Sequence, residues 1–172
     1  RVNHQCYGSI NIGNYSCKNR LIVDHLIQDF TQAGIKAASI EYHEARWKKA
    51  VWNMPFNGMT VVMNAQTDQL LANPSTMQLI RRQMMEVIGA AQALGVKGLD
   101  ASFADRMIEM TLSMTPYSPS MKLDYDFKRP MEIDYLYTHA IAEGHRVGYA
   151  MPSLEMLEAQ LRFLQEKNSL RG

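Results

Sequence analysis

The segment between residues 43 and 65 constrains the fold most, because it is long and largely apolar and yet carries a regular row of polar residues. Lys49, Asn53 and Asn57 stand four residues apart, so on a helix their side chains form one stripe that drifts by about 40° per step. A helix this apolar is expected to be buried, and a buried amide or ammonium group is costly without a partner. This polar stripe therefore predicts either an internal hydrogen-bond network or a polar ligand.

Signals for helix starts and ends divide most of the chain into helices. Asn, Asp and Pro stand where apolar periodicity begins, and Gly stands where it ends. The pattern predicts an all-α, multi-helix domain. The predicted helices cover residues 18–33, 43–65, 73–94 and 100–114, a short turn after Thr67, a short stretch after Ser118, residues from Pro130 to near Gly144, and residues from Pro152 onward.

The first fourteen residues do not follow the helical pattern. Apolar residues alternate there around Gly8, which predicts one or two short strands, whereas residues 37–42 are predicted to be an extended linker. Two short strands make a poor independent sheet. We therefore expect residues 1–14 to be the edge of a neighbouring domain, residues 15–172 to form the helical domain, and the chain, which begins with Arg, to be a fragment or a processed product. An open strand edge could pair with a second copy, so a homodimer is a candidate assembly.

Composition narrows the classes of partner. The net charge is +1 and 20% of residues are charged, which favours neither nucleic acid nor a membrane surface. Cys6 and Cys17 are too few for a disulfide framework or a zinc site and fit a reduced cytoplasm. The histidines lack zinc-ligand spacing, so no metal is expected, and no apolar run is long enough to span a bilayer.

A second polar segment lies near residue 125. Ser120 and Glu132 are twelve residues apart, separated by the turn Lys128-Arg129-Pro130. Pro130 suits the first turn of a new helix, which places Glu132 at the positive end of the helix dipole. Each residue has an ordinary structural explanation, since Glu132 could be a charge cap and Ser118 or Ser120 an N-cap.

Together the two segments resemble the C-terminal domain of ketopantoate reductase (2-dehydropantoate 2-reductase). The chain has Lys-x-x-x-Asn-x-x-x-Asn at 49–57, Ser-Met-x-x-Asp at 120–124, a basic turn at 128–129 and Glu-Ile-Asp at 132–134. The opening GSINIG at 8–13 is similar to the last strand of that family's nucleotide-binding domain. The resemblance therefore implies a helical substrate domain preceded by a short β segment of a Rossmann domain.

The resemblance also implies roles for individual residues. Lys49 would be the proton donor, and Glu132 would orient the substrate and its hydroxyl. A serine would bond the substrate carboxylate, two amides would bind at the substrate end of the cleft, and a threonine would add a polar contact. These substrate-binding residues would be Ser120, Asn53, Asn57 and Thr67.

The reaction implied is the reduction of ketopantoate, a small 2-oxo acid, to pantoate in pantothenate and coenzyme A biosynthesis, with NADPH as cofactor. A lysine on an apolar helix suits proton donation because it loses water contacts, and a nearby carboxylate keeps it charged, so we expect Lys49 and Glu132 to form a pair. The neighbouring Lys48 competes for this role. Only Lys49 is in phase with the two amides of the stripe, which favours Lys49.

The chain has no Gly-x-Gly-x-x-Gly turn after a strand, so NADPH is expected to bind mainly to a nucleotide-binding domain outside it. Its binding residues in this chain stay unassigned, and Glu132 is the one candidate for a position near it. The chain alone is therefore expected to be inactive. Departures from the family pattern at Pro55, where a kink is expected, at Lys122-Leu123 and at Thr138 leave open a related 2-oxo acid or imine reductase. A non-catalytic helical interaction module, with the stripe as an internal network, is the other alternative.

Overall fold

A computed structural model describes residues 8–19 and 21–169 of the chain, so the part of the predicted strand before Gly8 lies outside the described residues. The chain divides into two compact units, residues 1–46 and residues 47–172. The described residues form eight α-helices, one π-helical segment and two short strands, which confirms the predicted all-α class. None of the helices within this part of the chain is long and apolar enough to cross a membrane.

The first unit is a strand–helix–strand arrangement. Strand β1 (Ile10–Gly13) and strand β2 (Ala37–Ile40) pair in parallel, with Ile10 opposite Ala37. Helix α1 (Leu21–Gln32) makes the crossover that two parallel strands require. The linker predicted over residues 37–42 is therefore wrong, because most of it is a strand. Its pairing partner lies far away in sequence, which local patterns do not reveal.

Helix α1 ends where the sequence predicts. Gly34 has a φ of +80°, a left-handed conformation that glycine adopts without steric cost. The Ile35 N–H donates to the Phe30 carbonyl at 2.9 Å, which closes the last turn in the manner of a Schellman motif.

Helix α2 (Tyr42–Val62) carries the polar stripe. Its buried residues begin at Val51 and run without interruption from Met54 to Val61. The helix remains continuous through Pro55, so the kink expected at this proline stays a prediction. Inside the buried run, the Thr60 hydroxyl donates to the Phe56 carbonyl at 2.7 Å, which satisfies a polar group that would otherwise be buried without a partner.

The second unit also contains the remaining helices, and local signals fix most of their ends. The side chain of Asn73 accepts hydrogen bonds from the N–H groups of Ser75 and Thr76 in front of the fourth helix, and Asp100 caps the fifth by accepting from Phe103 N. The elements are α3 (Thr67–Ala72), α4 (Pro74–Ala93), α5 (Ala101–Ser113), α6 (Ser120–Asp126), a π-helical segment (Asp134–Thr138), α7 (His139–Arg146) and α8 (Pro152–Ser169).

Helix α4 lies at the centre of the second unit and packs against α3, α5, α7 and α8. Glu86 of α4 is 8% exposed, and its carboxylate accepts from Ser153 N at 3.0 Å and from Leu154 N at 3.2 Å. A carboxylate from one helix therefore satisfies the N–H groups at the positive end of α8. This contact fixes where α8 begins relative to the core.

Candidate functional site

Exposure falls steadily along the polar stripe. Lys49 is exposed, Asn53 is half-buried, and Asn57 is 4% exposed. The expectation that the apolar helix buries the Lys49 ammonium is therefore wrong, because α2 enters the core only from Val51 onward. Lys49 makes no hydrogen bond or ion pair with any residue that the structure describes.

Asn57 links α2 to the start of α6. Its side-chain oxygen accepts from Met121 N at 3.1 Å, and its side-chain nitrogen donates to the Asn53 carbonyl at 2.9 Å. The internal-network interpretation of the stripe therefore holds at this position. Because Met121 follows Ser120 directly, the same bond brings the backbone of Ser120 beside α2, although the two residues are far apart in sequence.

Ser120 is the first residue of α6, and Pro119 occupies the N-cap position without a side-chain cap. The prediction that Ser120 could be the cap is therefore wrong, because proline takes the position before it. Its side chain is exposed and forms no hydrogen bond within residues 8–19 and 21–169. Its hydroxyl is available to a ligand.

Thr67 is tied to the residues that precede Ser120. Both its N–H and its hydroxyl approach the Tyr117 carbonyl at 3.4 Å, and the residue is 2% exposed. The Tyr117 ring lies 6.4 Å from that of Trp52 on α2. Residues 117–121, the Ser120 segment from here on, are thus held by α3 and by α2, and the hydroxyl of Thr67 already has a partner.

Glu132 lies immediately before the helix that begins at Ile133, and its carbonyl accepts from Leu136 N at 3.1 Å. Its side chain is exposed. Five residues later, the fully buried Tyr137 donates its hydroxyl to the Met54 carbonyl of α2 at 2.6 Å. Burial raises the pKa of this hydroxyl, which keeps it protonated as a donor. Residues 131–138, the Glu132 segment, are thereby anchored to α2.

Lys49 and Glu132 do not form an ion pair, and the Glu132 carboxylate has no hydrogen-bond partner in the part of the chain that the structure describes. Helix geometry places Lys49 about 7.5 Å along the axis from Met54, the anchor of the Glu132 segment. The structure therefore brings the segments of Ser120 and Glu132 to the helix that carries the stripe, without direct contact between the two charged groups.

The contact between Tyr137 and α2 depends on a glycine that was not predicted to matter from the sequence. A β-carbon at position 58 would lie 2.6 Å from the Tyr137 oxygen and 2.5 Å from Leu157 Cδ2, so Gly58 is what allows Tyr137 to reach α2. A glycine inside a buried apolar helix is the signal that could have indicated a close approach. Lys122 is 6% exposed and pairs with Asp126, so this departure from the family pattern serves packing.

Helix α8 contacts the Glu132 segment on both sides of Glu132. Gln165 accepts from Met131 N, and Arg162 donates to Asp134.

Within residues 8–19 and 21–169, no three His, Cys, Asp or Glu residues are grouped so that they could hold a metal ion.

Comparisons with known proteins identify the family and agree with the fold. The family model described as Ketopantoate reductase PanE/ApbA C terminal matches residues 41–165. A 2-dehydropantoate 2-reductase from Nostoc sp. is 39% identical over 97% of this chain and 54% of its own length. A solved 2-dehydropantoate 2-reductase from Methylococcus capsulatus is 32% identical with a TM-score of 0.86, over 96% of this chain and 57% of its own.

The same fold also occurs in a protein with a different name from the 2-dehydropantoate 2-reductases. The ternary structure of D-mandelate dehydrogenase with NADH and anilino(oxo)acetate has a TM-score of 0.84 over 96% of this chain and 70% of its own. At 19% identity this likeness shows the fold alone. The chain spans about half the length of the curated 2-dehydropantoate 2-reductases that it matches, and structural neighbours include a dimeric ketopantoate reductase from Staphylococcus aureus.

Proposed function

Because the chain belongs to the ketopantoate reductase family as its C-terminal domain, we propose that it serves as the substrate domain of an NADPH-dependent 2-dehydropantoate 2-reductase. Joined to a nucleotide-binding domain, it would reduce ketopantoate to pantoate for pantothenate and coenzyme A synthesis. The observation that carries the proposal is the attachment of both motif segments to α2, through Asn57 to Met121 and through Met54 to Tyr137. The proposal also includes a cytoplasmic location for the enzyme and a homodimer as its assembly.

The reaction needs a proton donor, and Lys49 suits that role. When bound, NADPH supplies the hydride that adds to the ketone carbon. The carbon–oxygen π bond opens onto the oxygen, which takes a proton from the Lys49 ammonium, so the 2-oxo acid becomes a 2-hydroxy acid and the lysine becomes neutral. A positioned general acid of this kind contributes about 10²–10⁴-fold to the rate.

The other polar groups suit the binding of the substrate. The carboxylate of Glu132 can accept a hydrogen bond from the new hydroxyl, and the Ser120 hydroxyl can donate one to the substrate carboxylate. Neither side chain has a partner among the described residues. The amide of Asn53 is half-buried and makes no side-chain hydrogen bond within residues 8–19 and 21–169, so a ligand would satisfy it. Asn57 and Thr67 would act mainly by holding the Ser120 segment.

The cofactor would be held largely outside these 172 residues. The chain has no Gly-rich turn between a strand and a helix to cradle a pyrophosphate. The chain offers an exposed ammonium on α2, and a carboxylate and a hydroxyl on two segments that are hydrogen-bonded to α2. This set of groups suits the substrate side of such a site. The same reasoning supports the proposal that these residues do not catalyse the reduction alone.

A second candidate is the reduction of another 2-oxo acid, because a shared fold does not by itself fix the substrate. The departures from the family pattern add little to it. Lys122 is engaged by Asp126, and the Thr138 hydroxyl donates to Glu158 at 2.5 Å, so neither side chain is available to select a substrate. A comparison of kcat/KM for ketopantoate and for aryl 2-oxo acids separates the two candidates. A sealed, non-catalytic network is disfavoured because Lys49, Ser120 and Glu132 are all exposed.

The proposal is tested by Lys49→Ala in the full-length protein. We expect kcat for ketopantoate to fall by about 10²–10⁴-fold with a much smaller change in KM, because the lost group acts in the transition state. Lys48→Ala is the matched control and should keep kcat near that of the unsubstituted protein. Near-normal turnover of Lys49→Ala would remove Lys49 from the mechanism.

A further inference from the structure

The side chain of Glu132 has no partner of its own within the described residues, so its position depends on the backbone on either side of it. On the N-terminal side, the N–H of the buried Met131 donates to Gln165 Oε1 of α8 at 2.8 Å. On the C-terminal side, Asp134 Oδ1 accepts from Arg162 Nη2 of α8 at 2.6 Å. Two side chains one turn apart on α8 therefore bracket the glutamate.

Arg162 is the centre of a larger network. It donates to Glu158 Oε1 from Nη2 at 2.8 Å and from Nε at 3.1 Å, and to the Thr138 hydroxyl at 2.7 Å. The Thr138 hydroxyl in turn donates to the same Glu158 oxygen. The Glu158 side chain is only 15% exposed. A single surface ion pair would contribute little, whereas a network around a largely buried carboxylate holds its members in one geometry.

The residues that Arg162 joins are the first and the last of the π-helical segment, Asp134 and Thr138. In this segment the His139 N–H donates to the Asp134 carbonyl, one residue further back than in an α-helix. Such widened turns are rare and occur often at functional sites. Because α8 holds both ends of the π-helical segment, the widened turn is preserved. The direction of the Glu132 side chain, just before that turn, is preserved with it.

We propose that Arg162 and Gln165 are positioning residues for Glu132. They hold the start of the π-helical segment so that the Glu132 carboxylate faces the substrate. This inference rests on the role proposed for Glu132 in the reduction. It goes beyond that role because it assigns a function to α8, which carries none of the motif residues. Thr138 becomes part of the same device, since its hydroxyl joins Arg162 to Glu158.

The test is a set of variants in the full-length protein assayed for kcat and KM with ketopantoate and NADPH. Arg162→Ala is expected to lower kcat by about 10–100-fold, the order expected when a reacting group is misplaced by about 1 Å, while KM for NADPH changes little. Arg81→Ala is the matched control, because Arg81 joins Asp105 with a side chain 45% exposed, against 44% for Arg162. The control should retain the kcat of the unsubstituted protein.

Coupling to Glu132 separates positioning from a general structural effect. Adding Arg162→Ala to Glu132→Gln should lower kcat less than about twofold further, because interacting residues are not additive. An equal loss in both backgrounds would overturn the inference. Gln165→Ala and Thr138→Val carry the same test if Arg162→Ala does not fold, and each should lower kcat without that further loss in the Glu132→Gln background.

The outcomes distinguish this inference from the function on which it rests. If Glu132→Gln retains near-normal turnover, the proposed role of Glu132 fails. If Glu132→Gln loses turnover and Arg162→Ala does not, the role of Glu132 stands and the positioning role of α8 is wrong.

Discussion

The Ser120 segment and the Glu132 segment dock on the same helix but are held by different kinds of interaction. Uncharged hydrogen bonds with little access to water hold the first, from Met121 N to Asn57 and from Thr67 to the Tyr117 carbonyl. The second has uncharged hydrogen bonds as well, from Tyr137 to Met54 and from Met131 N to Gln165. Only the second adds a partly exposed set of charges, around Arg162.

This difference indicates that the two segments respond differently to salt and pH. A buried neutral hydrogen bond is insensitive to salt and pH and is costly to leave unmade. Exposed charge pairs are screened by salt and respond to protonation. We therefore expect the Ser120 segment to remain fixed under conditions that loosen the Glu132 segment.

The largest expected effect comes from closing the gap through which Tyr137 reaches α2. Gly58→Ala should destabilise the protein by about 3 kcal/mol, because its β-carbon would overlap Tyr137 and Leu157 in a packed core. The free energy of unfolding from a urea titration measures this. Gly144→Ala is the comparison and should cost less, since its β-carbon would meet the flexible end of Met151 at 2.9 Å and the Tyr149 carbonyl oxygen at 3.1 Å, whereas all three nearest atoms at position 58 lie within 2.8 Å.

A second substitution tests whether Tyr137 is the obstacle. Tyr137→Phe removes the hydroxyl oxygen that the new β-carbon would meet, so it should recover part of the stability that Gly58→Ala loses. If the two losses simply add, the close approach of Tyr137 to Gly58 does not explain the need for glycine.

Asn57→Ala addresses the Ser120 segment. We expect a loss of about 2 kcal/mol in the free energy of unfolding, because Met121 N would be left buried without an acceptor. Asn53→Ala is the matched control, and it should change stability by less than about 0.5 kcal/mol, since its amide has no partner among the described residues. Equal losses for the two asparagines would contradict the graded burial of the stripe.

The smallest effect is a pH response at Asp134, within the Glu132 segment. The hydrogen bond and the charge of Arg162 hold the pKa of Asp134 below its ordinary value of 3.8. A carboxyl with a lowered pKa in the folded state contributes stability at pH above 3.8, and that contribution is lost as the pH falls through the folded value. An NMR titration of the Asp134 carboxyl carbon should therefore show a midpoint below 3.8.

The same titration contains its own control. Arg162→Ala should return the Asp134 midpoint toward the ordinary value, whereas Asp105, whose pKa is lowered by Arg81, should keep its midpoint in that variant. A midpoint for Asp134 that does not respond to Arg162→Ala would contradict the attachment to α8.

Several helix ends could be predicted because their causes are local. Asn73 followed by Pro74, Asp100 and Gly34 each act within one turn of their own position, and the structure confirms all three. Strand β2 was missed for the opposite reason, since its short extended segment becomes a strand only by pairing with β1. The π-helical segment was also missed, because contacts with α2 and α8 accompany it and no local motif announces it.

The candidate site divides in the same way. The spacing of Lys49, Asn53 and Asn57 fixed a common helical face, because helical period is a local property. The sequence could not show that Asn57 would be bonded to Met121 while Lys49 stays exposed. That depends on where α2 enters the core.

The sequence by itself therefore determined the helical class, most of the helix ends and the residues of the polar stripe, because periodicity and capping act over a few neighbouring residues. Only the tertiary structure decided which polar groups are consumed internally and which remain available. Asn57 and Thr67 found partners from distant segments, whereas the side chains of Lys49, Ser120 and Glu132 have none among the residues that the structure describes. The physical reason is that burial and hydrogen-bond satisfaction depend on contacts between segments that are far apart in the chain.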